Sequence, residues 1–399
     1  MLDAFPALAR LRMTAAVSPA VSPAFLAAFR QEAGADGLVS FARFMDLALY
    51  HPECGYYAKT RRRIGRAPGT DFFTAASLGP VFGELVVAAC VDLLGRESLG
   101  EFAFVEIGAE PPARENPDTL PPCPVEGAAP SAPLRPSAAT ARRPPVSDAS
   151  RVASGDPAST RSVLAGVPHP FAAVRTIALG QPLQLPPRCV VFSNELFDAQ
   201  PCHRLVRVAG RWRECGVAVH GGSLAEVLLP ALAPEVQALR DRLPAAAPEG
   251  YCLDLPLAAE RLATQIATLP WAGLFVAFDY GKSWRELTEA TPAGTVRAYH
   301  QHRQGNDLLA RPGEQDLTCH ICWDWLGEAF AARGFASPTI ESQEAFFVNH
   351  ASAALSRLIT AEAGRFSSRK LRVLQLLHPG TMGQKFQVLW ARREIPPAR

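Results

Sequence analysis

Carboxylate and amide side chains follow an apolar run near the middle of this chain. The run at residues 190–193 is followed directly by Asn194, Glu195 and, three positions later, Asp198. Such side chains at a strand end form a concave acceptor surface, which suits holding a cation or positioning an attacking amine. The same residue types also cap helices and occupy their first turns. The pattern therefore predicts either a chemical site or a helix start.

Two other apolar runs end in residues that suit a ligand site. Residues 104–107 lead into Gly108 and Ala109, and residues 274–278 lead into Asp279 and Tyr280. In a doubly wound sheet, ligands bind beyond the carboxyl ends of the strands, where glycine lets the backbone turn tightly near the ligand. Each run end is therefore a candidate part of a site, with an ordinary strand-to-loop turn as the alternative.

Histidine and cysteine pairs raise the question of a metal. His300 and His302 would face the same side of a strand, but no third ligand is apparent nearby, and local hydrogen bonding is the alternative. Among nine cysteines, only Cys319 and Cys322 form a CxxC, and no second pair completes a tetrahedral zinc site. We therefore expect reduced thiols and no metal.

The elements that position these residues alternate between strands and helices. Short apolar runs at residues 102–107, 188–193 and 274–278 are typical of strands buried on both faces, and helical windows lie at residues 256–269 and 321–333. This alternation predicts a mostly parallel sheet with helices on both sides.

Further elements are predicted on either side of that core. Ser22 and Ser40 suit helix N-caps, and Gly95 suits the end of a helix at residues 80–94. Residues 203–219 alternate in polarity around a glycine, which predicts an added β-hairpin.

The composition excludes several classes of protein. The chain has 399 residues, of which 48% are hydrophobic, and its 40 basic and 38 acidic side chains leave a formal net charge of +2. This balance provides no positive field for binding nucleic acid. The longest apolar stretches are far shorter than the roughly 20 residues that span a bilayer. Because the N-terminus shows no secretory signal, we expect a cytoplasmic protein without a membrane span; a short organelle-targeting peptide is the alternative, since this segment contains two arginines.

A segment unlike the rest of the chain occupies residues 111–160. Twelve of its fifty residues are proline, and no aromatic residue occurs between Phe104 and Phe171. Such a composition cannot bury enough apolar surface to offset the entropy lost on ordering. We predict a disordered insertion that projects from one loop, so that the flanking elements pack together. The chain then comprises an N-terminal helical region at residues 1–100 and a domain at residues 101–399 that the insertion interrupts.

Eight segments, taken in order, resemble the MidA-like family of S-adenosylmethionine-dependent methyltransferases. That family includes a mitochondrial branch associated with respiratory complex I assembly and protein-arginine methylation. The matching segments are FARFMDLALYHPECGYY at 41–57, TDFFTA at 70–75, VEIGA at 105–109, SNELFDAQP at 193–201, FDYG at 278–281, GTVRAYHQH at 294–302, QDLTCHICW at 315–323 and MGQKFQVL at 382–389.

The resemblance implies a fold, a cofactor and a reaction. The fold would be α/β, a Rossmann-like methyltransferase domain whose mostly parallel sheet has helices on both faces, with added N-terminal helices and a β-hairpin insertion. The cofactor would be S-adenosylmethionine. The methyl group would pass to a nitrogen of a protein, and the resemblance favours an arginine side chain as the acceptor. A protein is therefore the expected substrate or assembly partner.

The resemblance also implies a role for each candidate residue. The glycine-rich turn after the first strand approaches the cofactor in that family, and carboxylates that orient a protonated guanidinium make one nitrogen available for methylation. The implied cofactor-binding residues are Glu106, Gly108, Ala109, Asp71 and Thr74; the catalytic residues are Asn194, Glu195 and Asp198; the substrate-binding residues are Asp279, Tyr280 and His302.

The chain departs from the family pattern directly after Ala109. Where the family has further glycines, this chain has Glu110, Pro111 and Pro112. The glutamate adds a negative charge near the cofactor's carboxylate, and the prolines remove two backbone donors. A binding or assembly factor that has lost methyl transfer is therefore the alternative, and cofactor binding distinguishes the two.

Overall fold

The computed structural model describes residues 21–58, 75–95, 99–108, 162–220, 222–361, 363–364 and 367–394. The helices are α1 (Pro23–Ala33), α2 (Phe41–Tyr50), α3 (Pro80–Leu94), α4 (Pro234–Gln237), α5 (Leu257–Thr268), α6 (Trp284–Glu289), α7 (Trp323–Ala331), α8 (Gln343–His350), α9 (Ser352–Ala361) and α10 (Ser368–Leu377). The strands are β1 (Leu38–Ser40), β2 (Ala103–Ile107), β3 (Ala173–Ile177), β4 (Arg188–Asn194), β5 (His203–Val208), β6 (Arg211–His220), β7 (Ser223–Leu228), β8 (Cys252–Leu255), β9 (Ala272–Asp279), β10 (Gly281–Lys282), β11 (Arg297–His300), β12 (Arg303–Gly305), β13 (Asp316–Thr318), β14 (Ile321–Cys322), β15 (Ala336–Ser342) and β16 (Gln387–Arg393).

The N-terminal helices begin at the predicted serines. The hydroxyl oxygen of Ser22 accepts from the N–H of Phe25 at 3.2 Å, and that of Ser40 accepts from the N–H of Arg43 at 3.1 Å. Each bond satisfies one of the N–H groups that a helix start leaves without an intrahelical partner. Both caps are confirmed, as is the helix that ends before Gly95.

The three apolar runs lie side by side in a six-stranded mixed sheet. Its strand order is β15-β16-β9-β4-β2-β3. The pairs β2–β3, β2–β4 and β4–β9 are parallel, whereas β16 runs antiparallel to both β9 and β15. The three predicted strands are therefore confirmed as β2, β4 and β9. Sequence patterning did not predict the antiparallel strand β16 at their flank.

Helices cover both faces of this sheet. Phe104, Phe192 and Phe278 pack on one face with buried side chains of α3, α8, α9 and α10. Val105 and Phe275 pack on the other face with α5 and α7. Because side chains alternate across a strand, one short apolar run supplies both cores.

The predicted hairpin belongs to a larger second sheet. Strands β5 and β6 pair around Ala209 and Gly210, whose φ angles of 48° and 70° suit the tight turn of a two-residue hairpin. The same sheet also contains β1, β7 and β8. Since β1 pairs Leu38 with Ala218, the N-terminal region is joined to the hairpin by backbone hydrogen bonds. The predicted hairpin is therefore present as β5 and β6, whereas local alternation did not reveal its distant partners.

The predicted insertion lies outside the described residues, as do Asp71, Thr74 and Ala109. The strands on either side of it do pack together, with Ile107 opposite Ile177 in a parallel pair. In the part of the chain that the structure describes, no helix is long and apolar enough to cross a membrane.

Candidate functional site

The carboxyl ends of β2, β4 and β9 meet at one edge of the central sheet. Ile107 lies opposite Ser193, and Asn194 lies opposite Phe278. The residues that follow these strands are therefore neighbours in space, although the chain separates them widely. The carboxyl edge of parallel strands is where α/β proteins bind ligands.

The segment after β4 is a loop that Asp279 holds in place. One carboxylate oxygen of Asp279 accepts from the N–H groups of Phe197 at 2.8 Å and Asp198 at 3.4 Å. The other accepts from the N–H of Tyr280 at 2.8 Å. The Asp279 side chain is fully buried. These contacts fix the loop after β4 to the end of β9, and substrate contact by Asp279 stays a prediction.

The alternative of a helix start at residues 194–198 is excluded. No helix begins between β4 and β5, a stretch that the structure describes completely. Glu195 instead has a φ angle of 52°, in the left-handed region that side chains disfavour, and its N–H donates to the carbonyl of Phe278 at 2.9 Å. A strained residue at a strand end is typical of a functional site.

Four carboxylates lie close together in and beside this loop: Glu195, Asp198, Asp279 and Asp316. Burial raises the pKa of Glu195 to about 8 and the pKa of Asp279 to about 7. Burial also raises the pKa of Asp198 well above its usual range, and the negative charges of the other three carboxylates add to the effect. A cation bound among them would relieve this repulsion.

Polar atoms at the same strand end lack partners among the described residues. They are Ser193 Oγ, Asn194 Oδ1 and Asp198 Oδ1. The Asp198 side chain is only 3% exposed. Since buried polar atoms are nearly always hydrogen-bonded, these acceptors indicate a position for a ligand that brings donors or a positive charge.

Four tyrosines line the space around Asp198. Burial and the charge of Asp198 contribute to raised pKa values at Tyr50, Tyr57, Tyr280 and Tyr299. The rings of Tyr50 and Tyr57 stack with centroids 5.4 Å apart. The Tyr50 hydroxyl donates to the carbonyl of Ala199 at 2.9 Å, so the stacked pair is attached to the loop after β4.

Sequence reasoning missed Asp316, Tyr50, Tyr57 and Tyr299 as site residues. All four lie within the segments at 41–57, 294–302 and 315–323 on which the family resemblance rests. Their presence in those segments was the signal in the sequence that could have marked them as candidate site residues. Nothing in local patterning shows that these segments converge on Asp198.

Gly108 and Glu106 occupy the end of β2. Gly108 has a φ angle of 82°, and a Cβ atom at this position would lie 2.7 Å from Leu196 Cδ1. The positive φ angle favours glycine at this turn, and a larger residue would require the Leu196 side chain to shift. Glu106 accepts through one oxygen from Ser162 Oγ and from the N–H of Val163, both at 2.7 Å. Burial raises the pKa of Glu106, and these two hydrogen bonds oppose that shift.

Tyr280 and His302, both predicted to bind substrate, occupy different surroundings. The Tyr280 ring packs on Phe386 with centroids 4.1 Å apart and lies near Glu195 and Asp198. His302 is exposed in the turn between β11 and β12, with a φ angle of 61°. Strand β11 ends at His300, so the prediction that His300 and His302 share one strand face was wrong. The left-handed turn residue Gln301 separates them.

The CxxC cysteines are buried free thiols. Cys319 is 1% exposed and Cys322 is fully buried. Among the described residues, no group of three or more histidine, cysteine, aspartate or glutamate side chains has an arrangement suited to a metal ion.

The sequence of this chain was compared with models of known protein families, and one model matches part of it. The sequence model of a family described as "Putative S-adenosyl-L-methionine-dependent methyltransferase" matches residues 175–340. The predicted resemblance to a methyltransferase family is confirmed. The matched region contains the loop after β4, the end of β9 and the strands β11 and β13, and therefore all four carboxylates of the cluster.

Relatives among characterised proteins carry related names. The chain is 25% identical over 380 residues to the zebrafish (Danio rerio) "Protein arginine methyltransferase NDUFAF7, mitochondrial", covering 88% of this chain and 83% of that protein. It is 32% identical over 155 residues to the Drosophila melanogaster homologue, covering 36% of this chain and 33% of that protein. Both relatives are named as mitochondrial, whereas the cytoplasmic location of this chain stays a prediction.

Two solved structures share the fold. One is the crystal structure of a protein from Burkholderia thailandensis, described as a likely methyl transferase and bound to S-adenosyl-homocysteine. Its TM-score is 0.70, and it is 23% identical over 94% of this chain and 93% of that chain. The other is a native crystal structure of a protein from the same organism, with a TM-score of 0.66 and 21% identity over the same shares of the two chains.

Proposed function

We propose that this protein is an S-adenosylmethionine-dependent methyltransferase that acts on an arginine nitrogen of a protein. The observation that carries the proposal is Asp198, a buried carboxylate with an unpartnered oxygen among three further acids and four tyrosines. Such surroundings are unfavourable for an isolated carboxylate and favourable for one that receives a cation.

The arrangement of the sheet supports a Rossmann-like methyltransferase fold. Strands β3, β2, β4 and β9 are joined by parallel pairings, helices cover both faces, and the acids follow the carboxyl ends of β4 and β9. The name of the zebrafish relative supports arginine as the acceptor. Because this relative is 25% identical to the chain, the acceptor is tested by experiment below.

The residues at the strand ends fit the cofactor. S-adenosylmethionine carries an amino group and a sulfonium, both positive, and supplies an activated methyl group when bound. Gly108 provides a turn without a side chain, and Ser193 Oγ and Asn194 Oδ1 are acceptors without a partner among the described residues. These atoms would hold the positive part of the cofactor beside the loop after β4.

The acids would then prepare the acceptor nitrogen. A guanidinium is fully protonated in water, so a carboxylate that accepts its N–H bonds orients it and stabilises its charge. As the new N–C bond forms and the S–C bond breaks, one guanidinium proton must leave. Asp198, ionised once a guanidinium is bound, is the carboxylate placed to accept it, because its Oδ1 has no hydrogen-bond partner among the described residues. Holding the acceptor in line with the methyl group supplies much of the remaining acceleration.

Two measurements test this function. Calorimetric titration with S-adenosylmethionine and S-adenosyl-homocysteine should show binding of both, and a radiolabelled methyl group should pass to an arginine-containing peptide. Asp198→Asn should bind the cofactor but transfer the methyl group at least roughly a hundredfold more slowly, the scale expected for losing a positioned proton acceptor. Asp36→Asn changes an exposed acid and is the matched control.

The alternative of a binding or assembly factor makes the opposite prediction. Folded protein that gives no heat with either ligand at millimolar concentration would overturn the methyltransferase proposal and leave the assembly role. Binding without transfer to any arginine peptide would instead overturn only the choice of acceptor.

A further inference from the structure

Asp316 is held opposite the loop after β4 by a separate small sheet. It is the first residue of β13, which pairs with β11 so that Asp316 lies across from Tyr299. Its side chain is 4% exposed, and one carboxylate oxygen accepts from the Tyr57 hydroxyl at 3.1 Å. Two tyrosines from different parts of the chain therefore flank this carboxylate.

Asp316 and Asp198 lie near each other. The charge of Asp316 contributes to the raised pKa values of both Asp198 and Glu195. The backbone connects the two sides as well, because the N–H of Cys319 donates to the carbonyl of Asp198 at 2.8 Å. This hydrogen bond, made by a residue three positions after Asp316, attaches the segment that follows β13 to the loop after β4.

The stacked rings of Tyr50 and Tyr57 form an aromatic surface beside these acids. The Tyr57 hydroxyl contacts Asp316, and the Tyr50 hydroxyl contacts the residue after Asp198. The ring planes differ by only 14°. Stacked aromatic rings beside two carboxylates are complementary to a planar cation that has N–H donors on more than one edge.

We propose that Asp316, oriented by Tyr57, is the second carboxylate of a guanidinium subsite whose first carboxylate is Asp198. This rests on the proposed function and adds to it a substrate-binding residue and a basis for choosing arginine. A lysine ammonium is a compact charge without a planar fork, so it cannot stack flat on an aromatic ring while it donates to both carboxylates. The Tyr57 hydroxyl acts through Asp316 and therefore has a positioning role, which Tyr57→Phe removes while it keeps the ring.

The test uses the full chain and two peptides that differ only by arginine or lysine at one position. Peptide binding is measured by calorimetry with and without S-adenosyl-homocysteine, and methyl transfer is measured for the arginine peptide. Asp316→Asn is nearly isosteric, Tyr57→Phe keeps the ring, and Asp36→Asn is the exposed control. Thermal unfolding of each variant reports whether it is folded.

We expect Asp316→Asn to weaken binding of the arginine peptide roughly ten- to hundredfold, the effect of losing a charge-assisted hydrogen bond. Its affinity for S-adenosyl-homocysteine should stay within about twofold of wild type. Tyr57→Phe should weaken peptide binding less and raise KM without an equal loss of kcat. The wild type should prefer the arginine peptide, and Asp316→Asn should reduce that preference.

Wild-type affinity of Asp316→Asn for the arginine peptide would overturn the subsite. Equal loss of peptide binding, cofactor binding and thermal stability would also overturn it, since Asp316 would then only support the fold. If the wild type binds the arginine peptide through Asp316 but not S-adenosyl-homocysteine, the subsite stands and the methyltransferase function fails. The two failures are therefore distinguishable.

Discussion

The hydroxyl of Ser162 donates a 2.7 Å hydrogen bond to the carboxylate of Glu106, a residue 56 positions earlier in the chain. The same oxygen accepts from the N–H of Val163. The chain that leaves β2 therefore returns to the strand from which it departed. This contact explains how a long proline-rich segment can be inserted beside a candidate ligand site while β2 and β3 stay paired.

We predict that the insertion is dispensable for folding. Joining Ala109 to Ser162 through a short glycine linker keeps both partners of the Glu106–Ser162 bond, and a segment of this composition contributes little burial. The melting temperature measured by calorimetry should stay close to wild type. The same deletion combined with Glu106→Gln should melt lower, because the buried contact is weakened. A loss of tens of degrees in the simple deletion would show that the segment packs on the core.

We predict that Gly108→Ala weakens cofactor binding while Gly100→Ala does not. A Cβ at Gly108 would lie 2.7 Å from Leu196 Cδ1 at a positive φ, whereas nothing lies within 4 Å of a Cβ at Gly100. The strain at Gly108 should cost about 1–3 kcal/mol, and the loop after β4 should shift. Calorimetric titration with S-adenosyl-homocysteine checks the difference. Equal affinities of the two variants would mean that the ligand does not approach this turn.

Glu195 should make the protein less stable as the pH rises. Burial raises the pKa of Glu195 from an ordinary value of 4.5 to about 8, so the folded state retains a proton that the unfolded chain has released. Stability attributable to this group therefore falls between about pH 4.5 and pH 8. Glu195→Gln cannot ionise, and its melting temperature should exceed wild type at pH 8.5 but not near pH 4.

The exposed Glu53→Gln serves as the control for this pH effect. It should follow the wild-type melting curve at both pH values. A Glu195→Gln variant that melts below wild type at pH 8.5 would show that the carboxylate is ionised and stabilised in the folded protein.

Local patterning could predict the strands that lead into the site but not the full set of site residues. The apolar runs before Gly108, Asn194 and Asp279 predicted β2, β4 and β9, because burial on both faces leaves a continuous apolar signature. The contact between Tyr57 and Asp316 joins residues 259 positions apart. Such a contact depends on how β13 packs against the N-terminal region, and neither composition nor periodicity records that packing.

The hydrogen bonds of Asp279 are a second feature of the site that local sequence patterning could not predict. Its position after an apolar strand suggested contact with a ligand, and its carboxylate does lie at the predicted edge of the sheet. However, both oxygens accept backbone N–H groups, from Phe197 and Asp198 on one side and Tyr280 on the other. Sequence identifies which residues reach the edge, whereas the hydrogen bonds that each side chain makes there are visible only in the structure.

Binding of an arginine peptide should release protons near neutral pH. The raised pKa of Glu195, about 8, means that this carboxyl is largely protonated in the free protein at pH 7. A guanidinium among the acids favours the ionised form of Glu195, lowers its pKa and expels a proton. Affinity should therefore increase from pH 6 to pH 9.

Calorimetry in buffers of different ionisation enthalpy measures the number of protons released. Wild type should release a measurable fraction of a proton at pH 7 and less at pH 9.5, where Glu195 is already ionised. Glu195→Gln should release fewer protons at pH 7, and Asp36→Asn should match wild type. Proton uptake on binding, or an affinity that falls as the pH rises, would show that the peptide does not bind at this carboxylate cluster.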